Sequence, residues 1–432
     1  MRSRLLRRRA ATAAGLYASV ALGILATVVA ARNLGAAEFG VYATALVAVS
    51  FFQMLLDLTV EDALTKVGFR YVAAEDWGRL RRLFQLATRL KLLGGVLAAV
   101  ALAALAPVAD AVFSADGLTT AVLVTALLPL VQCTENVSTS ALLLRGRYDV
   151  RGAYQTLAQG AKLVAVAVGS PHGVAWAIAG LVAAQALATT AVWAAGRVAL
   201  GRFPAAAPVP LGDDAPGIRS FVVSSTLATG MVSARTTLAS LVLGIVAGPT
   251  AVGLLRIAQA PQSGFTAASS PVRLILLTEQ TRDWEQGHEA RVFAGVRRYM
   301  LGAGVIGLVS LPVFLALMPW LVRVVFGAEY AGAVTAARII LVAATIQLVL
   351  GWTKSLPTTI GRPGLRIVTH GAETLVLLPL TALLAARWEV SGAAVAILAS
   401  TIVFGLVWIV VLRRLRGERR TARLVVGGEQ VP

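Results

Sequence analysis

Long apolar runs, separated by short segments carrying arginine, glycine or proline, dominate the chain from residue 10 to residue 411. A helix needs about 20 predominantly apolar residues to cross a hydrocarbon core about 30 Å thick. Twelve runs fit that requirement, at 10–31, 39–60, 84–107, 119–143, 153–169, 173–195, 219–245, 251–275, 299–321, 333–351, 366–386 and 391–411. The fifth and sixth are divided only by Ser170, Pro171 and His172, a proline among polar residues being a helix breaker. The pattern predicts an all-α integral membrane protein with about 12 transmembrane helices.

The basic residues test that count, because short loops rich in Lys and Arg stay on the cytoplasmic side. With the N-terminus inside, the inner segments hold 32 of the 39 basic residues, from Arg2–Arg9 at the start to Arg413–Arg423 at the end. The outer loops hold only Arg32, Arg323 and Arg387. An even number of spans with both termini cytoplasmic is the expectation, in a bacterial inner membrane. Arg7, Arg8 and Arg9 followed by an apolar run resemble a signal peptide. The run is too long for an h-region and eleven spans follow, so it reads as an uncleaved first helix.

Composition agrees. Hydrophobic residues make up 57% of the chain and charged residues 14%, against about 45–50% and about 25% in ordinary globular proteins. Mean hydropathy is +0.78. The net charge of +18 would suggest nucleic acid in a soluble protein; here it reads as a topology signal, and no nucleic-acid partner is expected. Cys133 is the lone cysteine, and His172, His288 and His370 lie far apart, so neither a disulfide nor a local metal motif is available. No metal or cofactor is expected.

The halves repeat. Gly35 and Gly40 after the first span match Gly248 and Gly253 after the seventh. Gly146, Arg147 and Arg151 after the fourth match Gly361, Arg362 and Arg366 after the tenth, and Gly173 opens the sixth span as Gly392 opens the twelfth. This order predicts an N-terminal six-helix bundle (1–195), a proline-bearing cytoplasmic linker (196–217), a C-terminal six-helix bundle (218–411) and a basic cytoplasmic tail (412–432). An even number of spans per repeat implies a pseudo-twofold axis along the membrane normal and a cleft that rocks between two openings.

Particular residues carry a family resemblance: Arg32, Asn33, Gly35, Glu38, Phe39, Gly40 and Tyr42; Arg145, Gly146, Arg147 and Tyr148; Gly248, Pro249 and Gly253; Phe326, Gly327, Glu329 and Tyr330; Gly361, Arg362 and Pro363. In that order the chain resembles the polysaccharide or O-antigen (Wzx-like) flippases of the multidrug/oligosaccharidyl-lipid/polysaccharide exporter (MOP) superfamily. The resemblance implies alternating-access movement of a polyprenyl-pyrophosphate-linked oligosaccharide to the outer leaflet, for cell-surface polysaccharide biosynthesis. It implies as partners membrane lipid and a polysaccharide polymerase or glycosyltransferases. Many members carry an aspartate in the seventh span where this chain has Ser233, Arg235 and Thr236, so any ion-coupling role of that acid does not transfer.

Charges placed inside the spans are costly and therefore functional candidates. Lys162, Arg235, Arg256 and Arg338 are the cations, suited to a diphosphate because Arg presents a planar donor fork. Counted from Gly248 at about 1.5 Å per residue, Arg235 and Arg256 differ in depth by roughly 7 Å. The alternative for Arg256 and Arg338 is snorkelling to the interface, which is also the reading of Arg89 and Lys91. Glu135, Glu373 and Asp57 are candidate charge partners or ion-coupling groups, with His370 beside Glu373 and Asp57 nearer the interface.

Two other classes compete. A small-molecule or multidrug exporter of the same superfamily would favour an acidic cavity over buried cations. A membrane-embedded polyprenyl-sugar glycosyltransferase or ligase needs carboxylates on an outer loop, and these outer loops are short. The expectation is a transporter, not an enzyme.

Overall fold

The computed structural model describes residues 2–264, 280, 283, 284, 286, 288–360, 362 and 364–428. Regular structure among the described residues is entirely helical. The first half contains α1 (Arg2–Leu56), α2 (Val60–Ala73), α3 (Trp77–Phe113), α4 (Leu118–Thr125), α5 (Leu127–Gln132), α6 (Glu135–Leu144), α7 (Tyr148–Gly169) and α8 (Val174–Gly201). The second contains α9 (Asp214–Ala258), α10 (Glu289–Val325), α11 (Ala333–Val349), α12 (Leu356–Thr359) and α13 (Gly364–Gly428). The end of the eighth expected span, the loop arginines Arg273 and Arg282, and Gly361 and Pro363 lie outside the described residues.

Eight helical stretches are long and apolar enough to cross a membrane. Three of them, Tyr17–Leu56, Asp214–Gly264 and Gly364–Leu415, run 40, 51 and 52 residues. At about 1.5 Å per residue each is about twice the hydrocarbon thickness or more. Each contains one residue off the helical path: Gly35 (φ 71°, ψ 173°), Gly248 (φ 80°, ψ 171°) and Glu389 (φ 46°, ψ −123°). These breaks turn three helices into six spans. With the more polar α7 they restore the twelve spans read from the sequence. Gly35 and Gly248, the first glycines of the repeated pair, adopt nearly the same positive-φ conformation, which glycine reaches without a Cβ clash.

The chain forms two compact units, Met1–Ile257 with Leu321–Gly332 and Ala258–Trp320 with Ala333–Pro432. In the first unit α9 packs beside the helices of the first half. The second glycines of the repeat make this contact: a Cβ on Gly40 would lie 2.6 Å from Pro249 C and O, and one on Gly253 would lie 3.0 Å from Gly40 Cα. Segment 321–332 closes on the same region. Arg32 Nε donates to Val325 O at 2.8 Å and its terminal nitrogen to Val324 O, capping the last carbonyls of α10. Tyr330 donates to Ala31 O at 2.6 Å and meets Phe39 edge-on. The core of this unit includes Leu64, Leu80, Phe84, Leu142 and Val192. The second unit is centred on Trp352, Trp408, Phe404 and Leu356, with the two indoles 5.1 Å apart in a T-shaped pair. Leu308 and Leu375 are 76% and 77% exposed, as a bilayer-facing surface requires.

Candidate functional site

In the first unit, α1 ends at Leu56 and the chain runs non-helically through Asp57, Leu58 and Thr59 before α2 begins. The Thr59 N–H donates to Thr226 Oγ1 at 2.9 Å, fixing this break against α9. Helix α3 passes close beside it through a glycine pair. A Cβ on Gly94 would stand 2.6 Å from Leu56 O, and one on Gly95 2.8 Å from Pro129 O. Lys91 lies one turn earlier on the same face of α3, so the close approach delivers its ammonium to the break. Nζ lies 2.8 Å from Asp57 Oδ1 and 3.0 Å from Glu61 Oε2, and the side chain is 1% exposed. These approaches lie outside hydrogen-bond angles. The attraction is therefore mainly coulombic.

The fourth span is itself interrupted, as α4, α5 and α6. Pro129 supplies no N–H to the preceding turn, and Thr125 Oγ1 donates back to Ala121 O at 2.9 Å. After Cys133 and Thr134 the chain re-enters a helix with Glu135 in its first turn, where the helix dipole favours a carboxylate. Glu135 accepts from Gln185 Nε2 at 2.8 Å, and Gln185 also donates to Thr189 Oγ1 at 2.9 Å. Lys162 and the Tyr154 hydroxyl lie within electrostatic reach of Glu135. Asn136 Nδ2 donates to Glu61 Oε1 at 3.3 Å, joining the two clusters.

A cavity of about 250 Å³ lies between them, lined by Gln53, Asp57, Gln132, Cys133, Glu135 and Asn136 among others. It has room for several waters. Three carboxylates, Asp57, Glu61 and Glu135, face two ammonium groups, Lys91 and Lys162. When all are ionised, one negative charge is in excess. Such a recess inside an apolar bundle can take up a proton or a small cation and can hydrate a polar group entering the bundle.

The sequence-derived candidates divide accordingly. Lys162 and Glu135 come together, whereas Asp57 pairs with Lys91. The snorkelling expected of Lys91 is corrected here: its ammonium turns inward because the break after Leu56 brings Asp57 and Glu61 within its reach. Arg235 and Arg256 are half-buried on α9, Arg256 within electrostatic reach of Tyr42. Arg338, in the second unit, has a different task. Pro319 cannot serve the carbonyl of Leu315 four residues earlier, and Arg338 Nε donates to that oxygen at 3.0 Å. Glu373, 1% exposed, bonds His370 Nδ1 at 3.1 Å, and the imidazole stacks on Phe404. Sequence reading missed Lys91, Glu61 and Gln185 as site residues. The usable signal was Lys91 one turn from a Gly-Gly pair, opposite acids spaced Asp57, Glu61.

The model of a family described as "Polysaccharide biosynthesis protein" matches residues 29–335. The inner membrane protein YghQ of Escherichia coli (strain K12) is 34% identical over 124 residues, which cover 26% of this chain and 32% of that protein, so the match spans about a third of that relative. Among solved structures, the lipid II flippase MurJ in an inward closed conformation aligns with a TM-score of 0.73 at 11% identity, over 93% of this chain and 87% of that one. A multidrug resistance MATE family transporter of the MOP superfamily, inward-facing, aligns at 0.69 and 13% identity, over 93% and 96%. The Vibrio cholerae MATE transporter VcmN, as a point mutant, aligns at 0.67 and 13%, over 96% and 97%. At such identities the likeness establishes a shared fold.

Proposed function

We propose, from the premise that this chain belongs to the polysaccharide biosynthesis protein family, that it is a flippase. Its cargo is an anionic, lipid-linked oligosaccharide of the polyprenyl-pyrophosphate type, moved from the cytoplasmic to the outer leaflet of a bacterial inner membrane by alternating access. One observation carries the reading: the first unit holds a polar recess lined by Asp57 and Glu135, each with its own charged neighbours in Lys91, Glu61 and Lys162, among spans otherwise built of apolar residues. Intramembrane charge on that scale marks a transport pathway by default. The MurJ likeness and the family description support a saccharide-lipid cargo. The arginine bias of the loops supports cytoplasmic termini.

In this account Lys162, Arg235 and Arg256 offer the diphosphate its cationic contacts. Arg338 is left out because its head serves the Leu315 carbonyl. Glu135 exchanges charge partners between Lys162 and the recess, and so links movement to a proton or small cation. Glu373 with His370 is the corresponding titratable pair of the second unit. Cargo polymerases or transferases act on the delivered saccharide.

Binding tests this reading. The purified protein is titrated with a polyprenyl-pyrophosphate saccharide and with the same saccharide on an uncharged polyprenol, followed by tryptophan fluorescence. Preference for the pyrophosphate form, reduced in Arg235→Gln and Lys162→Met, is the expected result. Equal binding of both lipids excludes the diphosphate site. Preference for a hydrophobic cation over either lipid would favour a multidrug exporter, the reading that the excess acid of the recess would then support.

A further inference from the structure

A second and larger recess lies on the basic face of the first unit, apart from the charge network. Its volume is about 700 Å³, and its walls are α3, α6, α8 and the segment after α8. Helix α3 contributes Arg81, Gln85, Thr88 and Arg89, spaced at 4, 3 and 1 so that one face carries all four. Helix α8 contributes Arg197, whose guanidinium lies 4.8 Å from the ring centre of Trp193. Ser138 of α6 closes the back. The lining contains three arginines and no carboxylate among the described residues.

The lip of the recess is fixed in place. Val209 N–H donates to Gly78 O at 3.2 Å, Arg81 donates to Pro204 O at 3.3 Å, and Phe203 stacks on Trp77 at 5.4 Å. Arg145 covers the Phe203 ring at 4.8 Å. Arg81 Nε is buried without a hydrogen-bond partner among the described residues, a donor left for an occupant.

Away from these arginines, toward the middle of the helices, the same surface turns apolar. Leu92 and Val96 of α3, on the helix face that carries Arg81, Gln85 and Thr88, are both exposed. Positive donors at one end and a bare aliphatic strip running from them have the layout of a phospholipid: phosphate at the rim, acyl chains along the helices. Three arginines match a headgroup with more than one negative charge.

We propose that this recess binds the headgroup of an anionic phospholipid of the surrounding bilayer, with cardiolipin as the best-matched chemistry, and that the bound lipid seats the segment 203–209 against α3. The site is independent of the cargo reading, and its test is a binding measurement that a negative flipping result leaves intact.

Native mass spectrometry of the full-length protein, titrated with tetraoleoyl cardiolipin, dioleoyl phosphatidylethanolamine or inorganic phosphate, tests it. Cardiolipin is expected to bind in preference to phosphatidylethanolamine and to resist displacement by inorganic phosphate. The triple variant Arg81→Gln, Arg89→Gln, Arg197→Gln is expected to lose about 100-fold in affinity, at roughly one arginine's worth of headgroup attraction per site. A charge-matched control, Arg413→Gln, Arg414→Gln, Arg416→Gln, is expected to bind as wild type. Should the triple variant aggregate, the single Arg197→Gln, at an exposed position, carries the decision with an expected loss of about fivefold. The proposal is overturned by unchanged affinity in the recess variants, by equal loss in the tail control, by equal binding of phosphatidylethanolamine, or by displacement with inorganic phosphate.

Discussion

Replacing Lys91 with methionine removes one charge while nearly conserving volume, and so isolates the electrostatic role of the buried ammonium. Its Nζ stands 2.8 Å from Asp57 and 3.0 Å from Glu61. Without it, two carboxylates that share one cation are left facing each other. Breaking a buried pair costs about 3–5 kcal/mol when the stranded charge has no water. Here Asp57 and Glu61 keep 37% and 30% of their side-chain surface, and the contacts lack hydrogen-bond geometry. The lower end, about 3 kcal/mol, is therefore expected. At about 2.1 cal/mol/K of unfolding entropy per residue, that lowers the melting temperature of a chain of 432 residues by about 3 °C. The assay is thermal unfolding in detergent of wild type, Lys91→Met, Asp57→Asn and the double variant. Asp57→Asn in the Lys91→Met background relieves the like-charge pair and is expected to restore at least half of the loss. Lys91→Met melting as wild type, or a double variant that melts lower still, would refute the reasoning.

Other expectations follow from single contacts. Arg338→Ala leaves the Leu315 carbonyl without its donor and is expected to cost about 1–2 kcal/mol in thermal unfolding with transport unchanged, whereas a cargo role would abolish transport. Gly40→Ala places a methyl group 2.6 Å from Pro249, so a sharp loss of folded protein on size-exclusion is expected. Ala at the open position Gly160 serves as control. Arg147 bonds Asp149 through two nitrogens at 3.1 and 3.2 Å and holds its carboxyl below the usual carboxylate range. A lowered carboxylate pKa gives stability that is present at neutral pH and lost as acid protonates the group. Asp149→Asn is therefore expected to lower the melting temperature slightly at pH 7, the group being over a third exposed, with the difference vanishing as the pH falls below the carboxylate range.

The twelve spans were legible because apolar length and arginine bias are local properties. So were two of the three internal breaks, since the repeated glycines at Gly35 and Gly248 sit where the chain must reverse. Glu389 gave no such signal: a glutamate at positive φ is unfavourable by itself, and the break it makes brings Gly392 close against the Leu384 carbonyl. The burial of Lys91 was hidden for a related reason. Its distance from the expected interface along α3 suggests snorkelling, but its surroundings depend on how closely Gly94 and Gly95 let α3 approach the break at Asp57. Arg338 is visible in sequence as a cation within a span, yet its partner is a carbonyl that Pro319, on another helix, leaves unserved. Charge inside a span is visible in sequence. What that charge touches is a property of the packing.

The central claim is transbilayer movement of an anionic saccharide-lipid, and proteoliposomes test it most directly. A polyprenyl-pyrophosphate oligosaccharide is incorporated with the purified protein, and its arrival at the far leaflet is followed by cleavage with an added, membrane-impermeant glycosidase, with and without an imposed proton or sodium gradient. The account predicts movement that requires the protein, falls in Lys162→Met and Arg235→Gln, and loses its gradient dependence in Glu135→Gln. Cleavage that never exceeds the initially exposed half, under either gradient and with wild-type protein shown to be folded, would contradict it.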